Sequence, residues 1–162
     1  MIKRIQRFYS WNMILQILGA IACVMAVFAY MLDYGFGYTA CVLCTIERIL
    51  LIVVGTWTIY TLSGWITWGL WCLGLIVTWY HIAVQNHWVP LASFCKARVP
   101  VGDTLNAQME DFLSQPSVSC DQITLKVFGI SAVYFLCAFF TLGCLLVLWR
   151  TLHLAKKKSL IQ

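Results

Sequence analysis

The chain reads as an all-α membrane protein, a four-transmembrane-helix bundle with two extracytoplasmic cysteine-bearing loops and a short amphipathic interfacial helix in the second loop. Three observations lead there. Of 162 residues, 62% are hydrophobic and 10% charged, with a mean hydropathy of +0.84, a balance that leaves too little polar surface for a water-soluble domain. The apolar residues gather into four runs, Trp11 to Leu32, Ile49 to Leu62, Ile66 to Val84 and Val127 to Trp149. A helix needs roughly 20 such residues to cross about 30 Å of hydrocarbon. Third, the basic residues collect at the two chain ends, as they do on the cytoplasmic side of membrane proteins.

Taken in order, the first run is longer than the roughly 7 to 15 apolar residues of a signal peptide, and Val27, Phe28, Ala29, Tyr30 make a poor cleavage site. It is therefore expected to stay as a span over residues 11–32. The second run is short and must borrow residues back toward Cys44, giving a span over 45–62 with a CxxC pair at its start. An uncharged turn around Ser63 and Gly64 leads into span three, 66–85, and Trp65, Trp68 and Trp71 beside it fit an interfacial aromatic belt. Span four covers 127–149. Outer loops then occupy 33–44 and 86–126, and residues 1–162 form a single integral membrane domain.

Lys3, Arg4 and Arg7 precede the first span, and Arg150, Lys156, Lys157 and Lys158 follow the fourth, which places both termini in the cytoplasm. Asp33, Glu47, Asp103, Glu110, Asp111 and Asp121 all fall on the outer side. The net charge of +5 thus reflects topology and not nucleic-acid binding.

Eight cysteines divide by location. Cys23, Cys72, Cys137 and Cys144 lie within the spans, where a thiol is a small apolar packing residue with no obvious redox partner. Cys41, Cys44, Cys95 and Cys120 lie in the outer loops, facing an oxidising compartment. Four cysteines allow three pairings, of which pairing within each loop is the simplest. A Cys41–Cys44 disulfide would close a tiny ring and remove little unfolded-state entropy, so it is a poor staple and better suited to chemistry. The N-terminus of span two favours a thiolate, and Arg48, one turn beyond Cys44 on the same face, adds a positive charge. The plain alternative for Arg48 is a pair with Glu47 or a side chain that snorkels to headgroups.

In the second loop, Lys96 and Arg98 follow Cys95 and favour its thiolate as a leaving group, or else are ordinary loop charges. Leu105, Met109, Phe112 and Leu113 keep helical spacing between a cap at Asp103 and a stop at Pro116, which is the expected interfacial helix. His81 and Gln85 share a face at the outer end of span three. They are candidates to hydrogen-bond a quinone carbonyl beside Arg48, with interfacial packing against Trp79 and Trp88 as the alternative.

The stretch Cys41-Val42-Leu43-Cys44-Thr45-Ile46-Glu47-Arg48, the four spans, His81 and Gln85, and the Cys95/Cys120 loop together resemble the DsbB family of bacterial inner-membrane disulfide oxidoreductases over nearly the whole chain. That resemblance implies an enzyme that reoxidises a periplasmic, thioredoxin-like DsbA-type protein and passes the electrons to a membrane quinone, ubiquinone or menaquinone. It implies that Cys95 is attacked by the reduced partner with Cys120 as its mate. Cys41 would exchange with the second loop, and Cys44, as a thiolate beside Arg48, would engage the quinone. The chain departs from the family pattern at Lys96, Gln122 and Leu125, positions that bear on the partner more than on the chemistry. Other readings are a non-catalytic four-span scaffold with structural loop disulfides, a cysteine metal site, and the related vitamin K epoxide reductase type, whose motif arrangement fits this chain less well.

Overall fold

The computed structural model describes residues 2–36, 40–61, 64–96, 118–123 and 125–159, with side chains described from residue 12 to residue 156. The interfacial helix expected between Asp103 and Pro116 lies outside the described residues, as do Ser63, Arg98 and the side chains of Lys3, Arg4, Arg7, Lys157 and Lys158.

Among the described residues four long helices form the bundle: α1 (Ile2–Phe36), α2 (Val42–Thr61), α3 (Trp65–Gln85) and α4 (Ala132–Ser159). Each contains a segment long and apolar enough to cross a bilayer, namely Asn12–Phe36, Val42–Thr61, Trp65–Gln85 and Ala132–Lys156. The protein is a multi-pass membrane protein. Exposed Val24, Phe28, Ile66, Ile76 and Leu145 are what a bundle bathed in hydrocarbon presents to its solvent.

Lipid offers no hydrophobic gain for pressing one apolar helix on another, so close packing decides which helices meet. The closest partners are α1 with α2 and α3 with α4, and α2 joins the two pairs through α3. Gly19 and Gly55 form the α1–α2 crossing: a Cβ on either would lie 2.7 Å from the other's carbonyl oxygen. Leu15, Leu18, Ala22 and Ala26 of α1, Leu51 and Val54 of α2, Trp71 of α3, and Phe140 and Val147 of α4 fill the shared core.

Trp71 departs from the aromatic belt expected of it. It is fully buried, lies against Gly143 and tilts onto Phe139 and Phe140. Burial is tolerated because its indole N–H donates to Thr58 Oγ1 at 3.0 Å, and Thr58 in turn donates to the Val54 carbonyl at 2.7 Å. Trp65, by contrast, stays more than half exposed at the helix end.

Helix boundaries also move. Helix α1 runs to Phe36, so Asp33 lies on the helix and not in the outer loop; its carboxylate meets a cation there, as described below. Residues ahead of span four form a hairpin of β1 (Lys126–Val127) and β2 (Ile130–Ser131), paired Lys126 to Ser131 and Val127 to Ile130. Phe128 and Gly129 turn it with φ of 53° and 83°, the two consecutive positive values of a type I′ turn. Helix α4 therefore starts at Ala132 and carries Arg150 inside it, buried and donating to Asn12 Oδ1 of α1 at 3.2 Å. Among the span cysteines, Cys72 and Cys144 correct the expectation that each stands without a sulfur partner: their Sγ atoms are 2.8 Å apart across α3 and α4.

Candidate active site

At the end of the bundle where α1 stops and α2 begins, Cys41 occupies the position just before the first turn of α2. Its carbonyl accepts from the Thr45 amide and the Thr45 hydroxyl, both at 3.1 Å. The Cys44 amide donates to Cys41 Sγ at 3.2 Å, and the two sulfurs are 2.7 Å apart. Cys41 is thus the helix cap, with sulfur taking the place that a serine or aspartate oxygen usually holds. The expectation placed the benefit of the helix terminus on Cys44; the structure gives it to Cys41. The Cys44 side chain and amide, hydrogen-bonded to the Cys41 sulfur, hold the Cys41 thiol below its ordinary pKa despite burial.

One turn on, Glu47 turns inward toward α3. Its Oε1 accepts from His81 Nδ1 at 2.8 Å, in a pair that is almost wholly buried. With Nδ1 engaged, His81 Nε2 faces Cys41 Sγ at 3.7 Å and Gln85 Nε2 at 3.4 Å. Gln85 Oε1 accepts from Ser131 Oγ of β2 at 2.9 Å. A buried carboxylate, imidazole and amide are stable here because each side chain finds a hydrogen-bond partner in the others or in Ser131.

Arg48 points elsewhere, since adjacent helical residues project about 100° apart at 3.6 residues per turn. Its Nη1 and Nη2 donate to both carboxylate oxygens of Asp33 on α1, the Nη2 bond measuring 3.0 Å. Its guanidinium also lies over the Tyr30 ring at 5.3 Å from the centroid. Glu47 and Arg48 thus engage different neighbours, and the polar atoms of His81 and Gln85 bond to Glu47 and Ser131 and face Cys41.

The second pair of loop cysteines comes to the same place. Cys95, at the end of a 3₁₀ turn over Ser93–Cys95, is disulfide-bonded to Cys120. The Cys120 amide and the Ser119 hydroxyl both donate to the Cys95 carbonyl, at 3.1 and 3.2 Å. Cys41, Cys95, Cys120, Leu43 and Val84 form one buried cluster, with Cys44 packed against its edge. Four sulfurs from two loops thus converge beside one imidazole.

Compared with known protein families, the chain matches the family described as "Disulfide bond formation protein DsbB" over residues 11–150. The chain belongs to the DsbB family. A capped CxxC dithiol clustered with the Cys95–Cys120 disulfide agrees with membership in a family described by disulfide bond formation. This DsbB-family chain is 31% identical over 115 residues to an uncharacterized protein of Rickettsia prowazekii (strain Madrid E), an alignment covering 64% of this chain and 66% of that relative. No solved structure matches it.

In this DsbB-family site, sequence reasoning left Asp33, Tyr30 and Ser131 without a role and offered Glu47 only as a partner for Arg48, whereas it meets His81. Asp33 and Glu47 carried a signal: acidic residues at membrane depth require partners, and Arg48 and His81 are cations or potential cations at matching depth. Tyr30 and Ser131 carried none, because an aromatic and a hydroxyl near a span end are common and their contacts depend on helix rotation.

Proposed function

We propose that the protein is a quinone-dependent dithiol oxidase of the bacterial inner membrane, with both termini cytoplasmic and its redox loops periplasmic, serving a DsbA-type thioredoxin-like protein. The observation that carries this reading is the gathering of Cys41 and the Cys95–Cys120 disulfide into one buried cluster.

A thiolate of the reduced partner attacks Cys95, forming a mixed disulfide and releasing Cys120 as thiolate. Cys120 then attacks Cys41 of an oxidised Cys41–Cys44 pair, and Cys44 leaves. The partner's second thiolate resolves its own mixed disulfide, and the freed Cys95 displaces Cys41 from Cys120. The partner is now oxidised, the Cys95–Cys120 bond is restored, and the two electrons rest on Cys41 and Cys44. His81 Nε2, 3.7 Å from Cys41 Sγ, is placed to hold the proton exchanged at that sulfur, and the Glu47 carboxylate on Nδ1 favours the imidazolium that results. His81 and Gln85 thus serve Cys41.

A quinone fits the surface beside Cys44 and Arg48. Arg48 is partly exposed and uses two of its five N–H donors on Asp33, and Ile46 and Ile49 next to it are exposed apolar side chains. Cys44 and Arg48 would hold it, and when bound it supplies a lipid-soluble acceptor for two electrons and two protons.

The test is to trap the first exchange. A Cys41→Ser protein incubated with a reduced thioredoxin-like dithiol protein should accumulate a mixed disulfide, mapped by peptide mass to Cys95. A mixed disulfide on Cys44 would reverse the assignment of the two pairs.

A further inference from the structure

Cys72 of α3 and Cys144 of α4 stand apart from the site just described. Their sulfurs, 2.8 Å apart, are closer than two thiols merely packed together. Neither of the other span cysteines is so placed: Cys23 lies against Gly55 at the α1–α2 crossing, and Cys137 lines a groove. The helices at this point are held in register by Trp71 seated against Gly143 and Phe140 against Gly74, so the approach of the two sulfurs is built into the α3–α4 packing. Cys72 is nine residues from His81 along α3, about 14 Å at 1.5 Å per residue, too far for direct exchange with Cys41 or Cys44. An oxidant must reach the pair from the lipid. An apolar groove of about 570 Å³ between α3 and α4, lined by Leu75, Tyr80, Cys137 and Thr141 among others, begins about one helical turn from it. Leu75 and Thr141 each lie three residues from Cys72 and Cys144 respectively, on the same helix faces.

We infer that Cys72 and Cys144 form a third dithiol–disulfide pair, inside the membrane, which a quinone of the lipid phase oxidises and which ties α3 to α4. The two thiols lose two protons and two electrons as the S–S bond forms, and the quinone becomes hydroquinone. The choice of oxidant rests on the proposed function; the pairing of the sulfurs does not. Oxidised, the pair fixes the helices that carry Gln85 and, just ahead of α4, Ser131, whose hydrogen bond links α3 to the hairpin.

The experiment has two parts. Membranes are treated with a permeant maleimide before lysis, and the purified protein is denatured without reductant, digested and mapped. The expected result is one cross-linked peptide joining Cys72 to Cys144, with label on Cys23 and Cys137; label on both Cys72 and Cys144 overturns the pairing. The protein and a Cys72→Ala/Cys144→Ala variant are then fully reduced and given a short-chain quinone. The parent should form one hydroquinone per chain more than the variant. Equal amounts from both overturn quinone oxidation of this pair alone, whereas no hydroquinone from either removes the oxidant and the proposed function together.

Discussion

Arg48 of α2 is clamped to Asp33 of α1 by two parallel N–H bonds to the carboxylate, one turn from Cys44 and with its guanidinium over Tyr30. The clamp explains how an arginine and an aspartate persist at membrane depth, and it fixes the fork's orientation with three N–H groups unspent on Asp33. Arg48→Ala should raise the KM for quinone and slow reoxidation of Cys41 and Cys44, leaving exchange of the partner with Cys95 near normal. Losing a charge-assisted hydrogen bond of about 1.5 to 3 kcal/mol corresponds to a loss of roughly 10-fold to 150-fold. Arg48→Lys should keep part of the activity, because charge survives and the fork does not. Stopped-flow traces with normal quinone dependence and slow partner exchange would move Arg48 to the docking surface.

The Glu47–His81 pair separates stability from chemistry. Removing one member leaves the other buried and unpaired, so Glu47→Ala and His81→Ala should each destabilise the detergent-solubilised protein, by about 3 to 5 kcal/mol. Replacing both with leucine should recover much of that loss, since neither member of the buried pair is left without the other and only the Gln85 amide loses a contact, while exchange at Cys41 stays slow. A double variant with full exchange rate would show that the pair is structural only.

The Cys41 thiol ionises below its ordinary pKa, chiefly through hydrogen bonding to the Cys44 side chain. In the reduced protein its thiolate is therefore populated at pH values below the usual thiol range, and is lost as pH falls through the lowered pKa. Thiolate absorbance in the ultraviolet should show this, and Cys44→Ala should shift the transition upward. An onset no lower than that of an ordinary cysteine would contradict the capping role.

The cysteines should divide by function. Serine at Cys41, Cys44, Cys95 or Cys120 should abolish turnover, whereas Cys23→Ala and Cys137→Ala should retain it. Turnover by Cys44→Ser, measured as partner oxidation with quinone present, would remove the core of the mechanism.

The spans were legible because hydrocarbon imposes a length and a composition, and α2 and α3 fall within a few residues of the expected bounds. The start of α4 was not, since the hairpin over 126–131 is as apolar as a span from Val127 to Ile130 and its turn is marked only by Gly129. At the site, the CxxC and the second cysteine pair were legible from type and spacing. What periodicity did not settle was helix rotation: Glu47 and Arg48 are adjacent in sequence, yet one meets His81 and the other Asp33. Cys72 and Cys144 illustrate the same limit, 72 residues apart in the chain and in sulfur contact through packing alone.

The most direct test of the central claim is electron stoichiometry in a single preparation: the purified protein, a reduced thioredoxin-like dithiol protein and a soluble quinone analogue, with disulfide and hydroquinone followed together. Beyond at most one hydroquinone per chain from Cys72 and Cys144, one hydroquinone should appear for each partner disulfide formed, and this partner-dependent formation should vanish with Cys44→Ser. Partner oxidation sustained over many turnovers without quinone, or partner-dependent hydroquinone formation that survives loss of Cys44, would contradict the account.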